Sequence, residues 1–283
     1  MRPSERVGAA CLLALAAAAV LSRPALAAAF AALAGAVVAL TRLSARGPSW
    51  ALARDLSPIA ILPTVFMLLE PVIVAVNPRR WDAFFAALDD RHLRALVAAW
   101  RTVAGRPDAF TDLVYAAYVS YYLLPVVVAL AVRARAPGSY EPTVFPIVLS
   151  FWLSFLGYFL FPTEGPRLPR AAEAGLLGGG AFSDGVRAFL HAAEATRLDA
   201  FPSGHTAVSI VSAAAGARVL RRWTAPLLAW AAAIVFATVY IHVHYAVDVV
   251  AGAALAAAVL AAAPALSRAL GGGAPRGAAA GAG

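Results

Sequence analysis

Apolar residues in this chain run in blocks, separated by short turns rich in arginine and proline. A helix needs about 20 consecutive apolar residues to cross the hydrocarbon core of a bilayer. Eight stretches approach that length, near 7–22, 24–42, 55–76, 109–133, 142–161, 203–220, 224–243 and 245–268. In lipid each must satisfy its own backbone polar groups, which favours helix. The pattern predicts an all-α fold, a polytopic membrane helical bundle. Residues 77–108 break it. There Trp81, Phe84, Phe85 and Leu88 recur at helical spacing. They predict an amphipathic helix lying in the interface, with Asp82, Asp89, Asp90 and Arg91 on its other faces; a cap over the bundle without a role toward substrate is the alternative. Residues 1–48 then hold two Ala-rich hydrophobic helices, 49–270 the main membrane domain, and 271–283 a Gly/Ala-rich disordered tail. Residues 1–27 also have the layout of a signal peptide, with a basic start, an apolar middle and Ala25-Leu26-Ala27 as the cleavage pattern.

Composition agrees with a membrane location: 62% of residues are apolar and 13% charged, about half the charge of an average soluble domain. The net charge of +8 comes from arginine without any lysine. Its distribution argues for topology rather than for nucleic acid. Alternating spans put the N-terminus, 43–54, 134–141, 218–223 and the C-terminal tail on one side. That side collects twelve arginines against three acids, Glu5, Asp55 and Glu141. Arginine marks the cytoplasmic side. Both termini are therefore expected in the cytoplasm, and segments 77–108 and 162–202 outside. Cys11 is the one cysteine, which excludes an intrachain disulfide and thiolate metal clusters.

Chemistry-bearing residues gather at that outer boundary. Pro202-Ser203-Gly204-His205 opens an apolar run. Ser203 is a candidate N-cap, and the amides of Ser203 and Gly204 can face an anion at the positive end of the helix dipole. Gly204 would let a phosphate approach the backbone, with His205 beside it as proton donor. His244 and Asp248, four apart, are expected on one helix face. There the carboxylate orients one ring nitrogen and leaves the other as nucleophile. Arg167, after Gly165-Pro166, can hold two phosphate oxygens at once. Weaker substrate-binding candidates are Glu164, expected to form a local ion pair beside Arg167, and Tyr118 and Tyr122. Those two tyrosines belong with Tyr115 to a helical stripe that serves packing, an aromatic belt or a lipid-entry groove. His242 is read as structural, and Glu70 as facing protein or water. No His, Cys or carboxylate spacing argues for a metal or other cofactor.

Over roughly 77–255 the chain resembles the type 2 phosphatidic acid phosphatase (PAP2) superfamily. Pro202-Ser203-Gly204-His205 matches that family's second motif, and His244 with Asp248 the end of its third. The resemblance implies a six-helix membrane core, to which the first two helices are additions. It also implies that His244 attacks phosphorus, Asp248 orients it, His205 protonates the leaving oxygen, and Arg167, Ser203 and Gly204 bind the phosphate. Two departures stand out. Ala237-Thr238 occupy the place of the third motif's Ser-Arg, and Leu168 rather than proline follows Arg167. Residues 162–167 and 238–245 are similar to the branch containing inositol phosphorylceramide synthases, which transfer the group to an alcohol. The expected activity is an integral-membrane lipid phosphatase or phosphotransferase of the plasma membrane, working through a phosphohistidine at the outer face. Its substrate would be a phospholipid or polyprenyl phosphate, with neither nucleic acid nor an obligatory protein partner. Inositolphosphotransferase-type transfer to an alcohol and a non-catalytic lipid-binding relative are the alternatives. The particular lipid, the choice of water or alcohol, the oligomeric state and cleavage after residue 27 stay open.

Overall fold

The structure is a computed structural model that describes residues 1–93, 95, 99, 107–166, 178–193 and 196–271. Among them it contains helices and turns and no strand. The helices are α1 (Pro3–Ala19), α2 (Pro24–Leu43), α3 (Pro48–Met67), α4 (Glu70–Val76), α5 (Asp82–His92), α6 (Asp108–Val119), α7 (Leu124–Arg135), α8 (Tyr140–Leu160), α9 (Ala181–Ala193), α10 (Gly204–Val219), α11 (Thr224–Tyr240) and α12 (Ala246–Ala269).

Four helical segments are long and apolar enough to cross a membrane, or six if two bent pairs each count as one span. The eight stretches expected from hydropathy are therefore present as helices but not as eight unbroken spans. With 17 and 16 residues, α1 and α10 fall short of full length. The stretches at 55–76 and 109–133 are broken. A bend of 53° separates α3 from α4, and one of 51° separates α6 from α7. At the second break a tighter 3₁₀ turn, Ser120–Tyr122, interrupts the α-helical register just before Pro125. Proline has no amide to donate and is accommodated in a first turn.

Helix α10 is the centre of the bundle and contacts α7, α8, α11 and α12. Small residues allow these approaches. A Cβ added at Gly252 of α12 would lie 2.5 Å from the Ser203 carbonyl oxygen, and one at Gly216 would lie 3.0 Å from Val128 of α7. Because α8 and α11 end where α10 and α12 begin, Phe161, His205, Tyr240 and Ala246 lie at one end of the bundle, while Arg135, Arg218 and Arg268 lie at the other.

The arginine-rich end is tied together by its few acids. Asp55 bridges Arg2 at 2.6 Å and Arg133 at 2.8 Å. Glu5 holds Arg54 through two contacts, and Glu141 accepts from the amide and hydroxyl of Ser4 at 2.8 and 2.9 Å. These bonds fasten the start of α1 to α3, α7 and α8. The tail expected to be disordered, 271–283, lies outside the described residues beyond Gly271.

Candidate active site

The site is assembled from three turns and two helix starts. Ser203 caps α10, its hydroxyl accepting from the Thr206 amide at 3.2 Å. This fixes His205 in the first turn of α10. On the other side, α11 ends at Tyr240 and the chain turns sharply. His242 takes a positive φ of 59°, and the amides of Val243 and His244 both donate to the Thr238 carbonyl, at 3.1 and 3.2 Å. Thr238 is thus a buried anchor for the histidine turn.

The two imidazoles meet. His205 Nδ1 lies 3.2 Å from His244 Nε2, and both side chains are buried. The opposite nitrogen of His244, Nδ1, has the Ala200 carbonyl at 3.0 Å and Asp248 Oδ2 at 3.4 Å. Both acceptors fix Nδ1 as the protonated nitrogen, so Nε2 carries the lone pair. The expectation that His244 and Asp248 share one helix face is corrected here. Helix α12 begins only at Ala246, with Tyr245 as its N-cap. Asp248 sits in the first turn and accepts from the Tyr245 amide at 2.8 Å. The carboxylate therefore accepts from a helix-start amide and stands 3.4 Å from the imidazole.

Gly204 also serves the packing of the turn. A Cβ there would lie 2.3 Å from the Tyr158 hydroxyl oxygen, so the missing side chain makes room for a tyrosine of α8. Glu164 pairs with Arg80 at 3.4 Å. Glu70 accepts from the Arg197 amide. Arg167 lies outside the described residues.

Tyr118 is buried and stacks on His205 at 4.8 Å between ring centroids. Tyr122 is half exposed at the edge of a cavity. Between them Tyr121, outside the expected stripe, approaches His205 to 4.3 Å. The 3₁₀ turn explains this, because three residues per turn rotate Tyr121 away from its α-helical direction. Pro125 was the available signal of that break. Asp199, five residues before the Gly204 turn, is a second residue not singled out. It lines the same cavity beside His205 and Tyr158.

That cavity has a volume of about 290 Å³ and an almost wholly apolar lining from α3, α7 and α8, including Leu62, Phe66, Ala129, Val148, Phe151 and Phe155. His205 and Asp199 stand at one end, Asp55 and Tyr140 at the other. Tyr140 and Tyr158 both line it, and eighteen residues of α8 separate them, a rise of about 27 Å. This nearly matches the thickness of a bilayer's hydrocarbon core. Among the described residues no group of three or more His, Cys, Asp or Glu side chains is arranged to hold a metal ion.

Compared with known proteins, residues 89–262 match the model of a family described as the PAP2 superfamily. No curated protein matches the chain, and no solved structure does.

Proposed function

The chain belongs to the PAP2 superfamily, and from that premise we propose that it is an integral-membrane lipid phosphatase or phosphotransferase acting through a phosphohistidine on His244. The observation that carries this reading is the relay from Asp248 and the Ala200 carbonyl through His244 to His205, with contacts of 3.4, 3.0 and 3.2 Å. It begins at a carboxylate and ends at a proton carrier, with a nucleophilic nitrogen between.

In the first step Nε2 of His244 attacks phosphorus. The N–P bond forms as the P–O bond to the lipid alkoxide breaks, and protonated His205 gives its proton to the departing oxygen. In the second step an oxygen nucleophile attacks the phosphohistidine, His205 takes its proton, and the N–P bond breaks. Nδ1–H of His244 stays directed at Asp248 and Ala200 throughout, which stabilises the imidazolium character that develops. With the two reactive nitrogens 3.2 Å apart, the rings must part to admit phosphorus. Arg167, Ser203 and Gly204 are read as the phosphate-binding elements, supplying the fixed charge and dipoles that dominate such barriers.

A long, narrow, apolar cavity ending at His205 supports a lipid substrate whose chain lies along α8. The arginine distribution supports a site at the outer face with both termini in the cytoplasm, and α1 and α2 as additions to a six-helix core. Transfer to an alcohol is the second reading. It is favoured by Thr238 in the place of a phosphate-binding arginine and by Asp199 at the cavity end, a carboxylate suited to accept from a hydroxyl.

Purified protein supplied with long-chain lipid phosphates, with and without inositol or glycerol, separates the cases. Inorganic phosphate released without acceptor, and lost in His244→Ala, is the expected result for a phosphatase. A new phosphodiester lipid that requires acceptor would establish the transferase. Absence of both products across the panel, from folded protein, would contradict the enzymatic reading.

A further inference from the structure

Helix α5 was expected to lie in the interface on the stripe of Trp81, Phe84, Phe85 and Leu88, with its acids on other faces. Instead, Asp82, Phe85 and Asp89 share the inward face, at the i, i+3, i+7 positions that align on a helix. Phe84, a member of the expected apolar stripe, is half exposed.

Each of the three inward residues touches a different motif segment. Asp82 Oδ1 accepts from the amides of Glu164 and Gly165 at 2.9 and 3.0 Å, in the turn that precedes Arg167. Gly165 has a φ of 86°, and a Cβ there would lie 2.5 Å from the Val243 carbonyl oxygen, so this turn also packs against the histidine turn. Phe85 stacks on Phe201 with centroids 4.1 Å apart and planes at 17°. Phe201 leads directly into the Ser203 cap. Asp89 is 1% exposed. Its two oxygens accept from the amides of Ala246 at 2.9 Å and Val247 at 2.8 Å. These are first-turn donors of α12 without intrahelical acceptors, and the carboxylate also opposes the positive end of the helix dipole.

We propose that α5 is a positioning clamp for the active site, with Asp89 as its principal positioning residue. This rests on the phosphotransfer reading above. The first turn of α12 has two carboxylates serving different donors. Asp89 takes the Ala246 and Val247 amides, leaving Asp248 for the Tyr245 amide and His244. Without Asp89, those two amides lose their acceptors and Asp248 is the nearest replacement within the turn. Its diversion would release His244 Nδ1 to the Ala200 carbonyl alone. Asp82 sets the turn before Arg167 from the same rigid helix, and Phe85 sets the approach to His205, so one element aligns all three segments.

The test pairs two measurements on full-length Asp89→Ala, Asp89→Asn and, as a destabilised control at the far end, Glu5→Ala. Hydrogen exchange followed by mass spectrometry reads residues 244–248 directly. Turnover of a soluble aryl phosphate reads alignment without the lipid chain. Asp89→Ala should speed exchange at 244–248 and lower kcat roughly 10²-fold, as a misplacement of about 1 Å does, with KM within about twofold. Asp89→Asn keeps one acceptor oxygen and should recover part of kcat. Glu5→Ala should leave kcat per folded molecule unchanged. Unchanged exchange in Asp89→Ala, faster exchange with unchanged kcat, or an equal kcat loss in Glu5→Ala would each overturn the clamp. If wild-type protein turns over no phosphate ester, the failure belongs to the enzymatic reading. Vanadate affinity then replaces turnover: weakened binding in Asp89→Ala supports the clamp, and unchanged binding overturns it.

Discussion

His205 is held from several directions at the site. It touches His244 through Nδ1 and is enclosed by Tyr118 and Tyr121. The two tyrosine rings restrict its rotation, so proton transfer is directed along one line. Replacing His205 by alanine should lower kcat by roughly 10²–10⁴-fold, the usual contribution of a positioned acid–base group. Steady-state kinetics on a lipid phosphate checks this, and a leaving group of low basicity should recover much of the loss because it needs no proton. Equal losses for poor and good leaving groups would remove His205 from the acid role. At this scale the sequence was informative about identity and less so about geometry. Spacing singled out His205, His244 and Asp248, and the fold brings these three together. The i, i+4 relation suggested a shared helical face, yet the helix starts two residues after His244. Helix boundaries depend on which acceptors reach the first-turn amides. Here one of those acceptors is Asp89, 157 residues away. No local pattern contains that information.

Hydropathy located the long apolar helices but neither their breaks nor α9. The stripe of Tyr115, Tyr118 and Tyr122 assumes one period, whereas Ser120–Tyr122 adopts a tighter one and the axis turns by 51° before α7. Residues at that bend, Tyr121 and Tyr122, and at the one between α3 and α4, Phe66 and Met67, line the cavity along α8. Both bends are tertiary outcomes, since apolar composition is the same for a straight and a bent pair. The cavity yields a prediction at this scale. Ala129 lines it from α7 and is 7% exposed. Ala129→Leu adds three carbons to the wall and should raise KM for a long-chain lipid phosphate about tenfold or more, since each lost CH₂ contact with a chain is worth ~0.8 kcal/mol. Turnover of a short soluble phosphate ester should be unaffected. Equal effects on both substrates would mean that the cavity does not hold the chain.

Across the whole molecule, the two ends differ in kind. The site end collects Asp82, Asp89, Asp199 and Asp248, while at the opposite end Glu5 and Asp55 anchor arginines and Glu141 holds Ser4. The charge count alone indicated this asymmetry. It did not indicate that Glu5, Asp55 and Glu141 join α1 to α3, α7 and α8. Side-chain exposure of Glu5 and Arg54 is 9% and 17%, so removing one partner leaves a largely buried charge, which costs up to roughly 3–5 kcal/mol. Glu5→Ala should therefore lower the melting temperature in detergent by several degrees, and Glu5→Ala with Arg54→Met should recover part of it. A melting temperature unchanged in Glu5→Ala would show that the α1 contacts are peripheral to stability.

Covalent transfer to His244 is the central step of the mechanism. Rapid quench of the enzyme in alkaline denaturant, in which an N–P bond survives, after mixing with a lipid phosphate radiolabelled at phosphorus, followed by peptide mapping under alkaline conditions, addresses it directly. The expected result is label on the peptide containing His244, absent in His244→Ala. Sustained wild-type turnover without label on that peptide, or label that persists in His244→Ala, would contradict the mechanism.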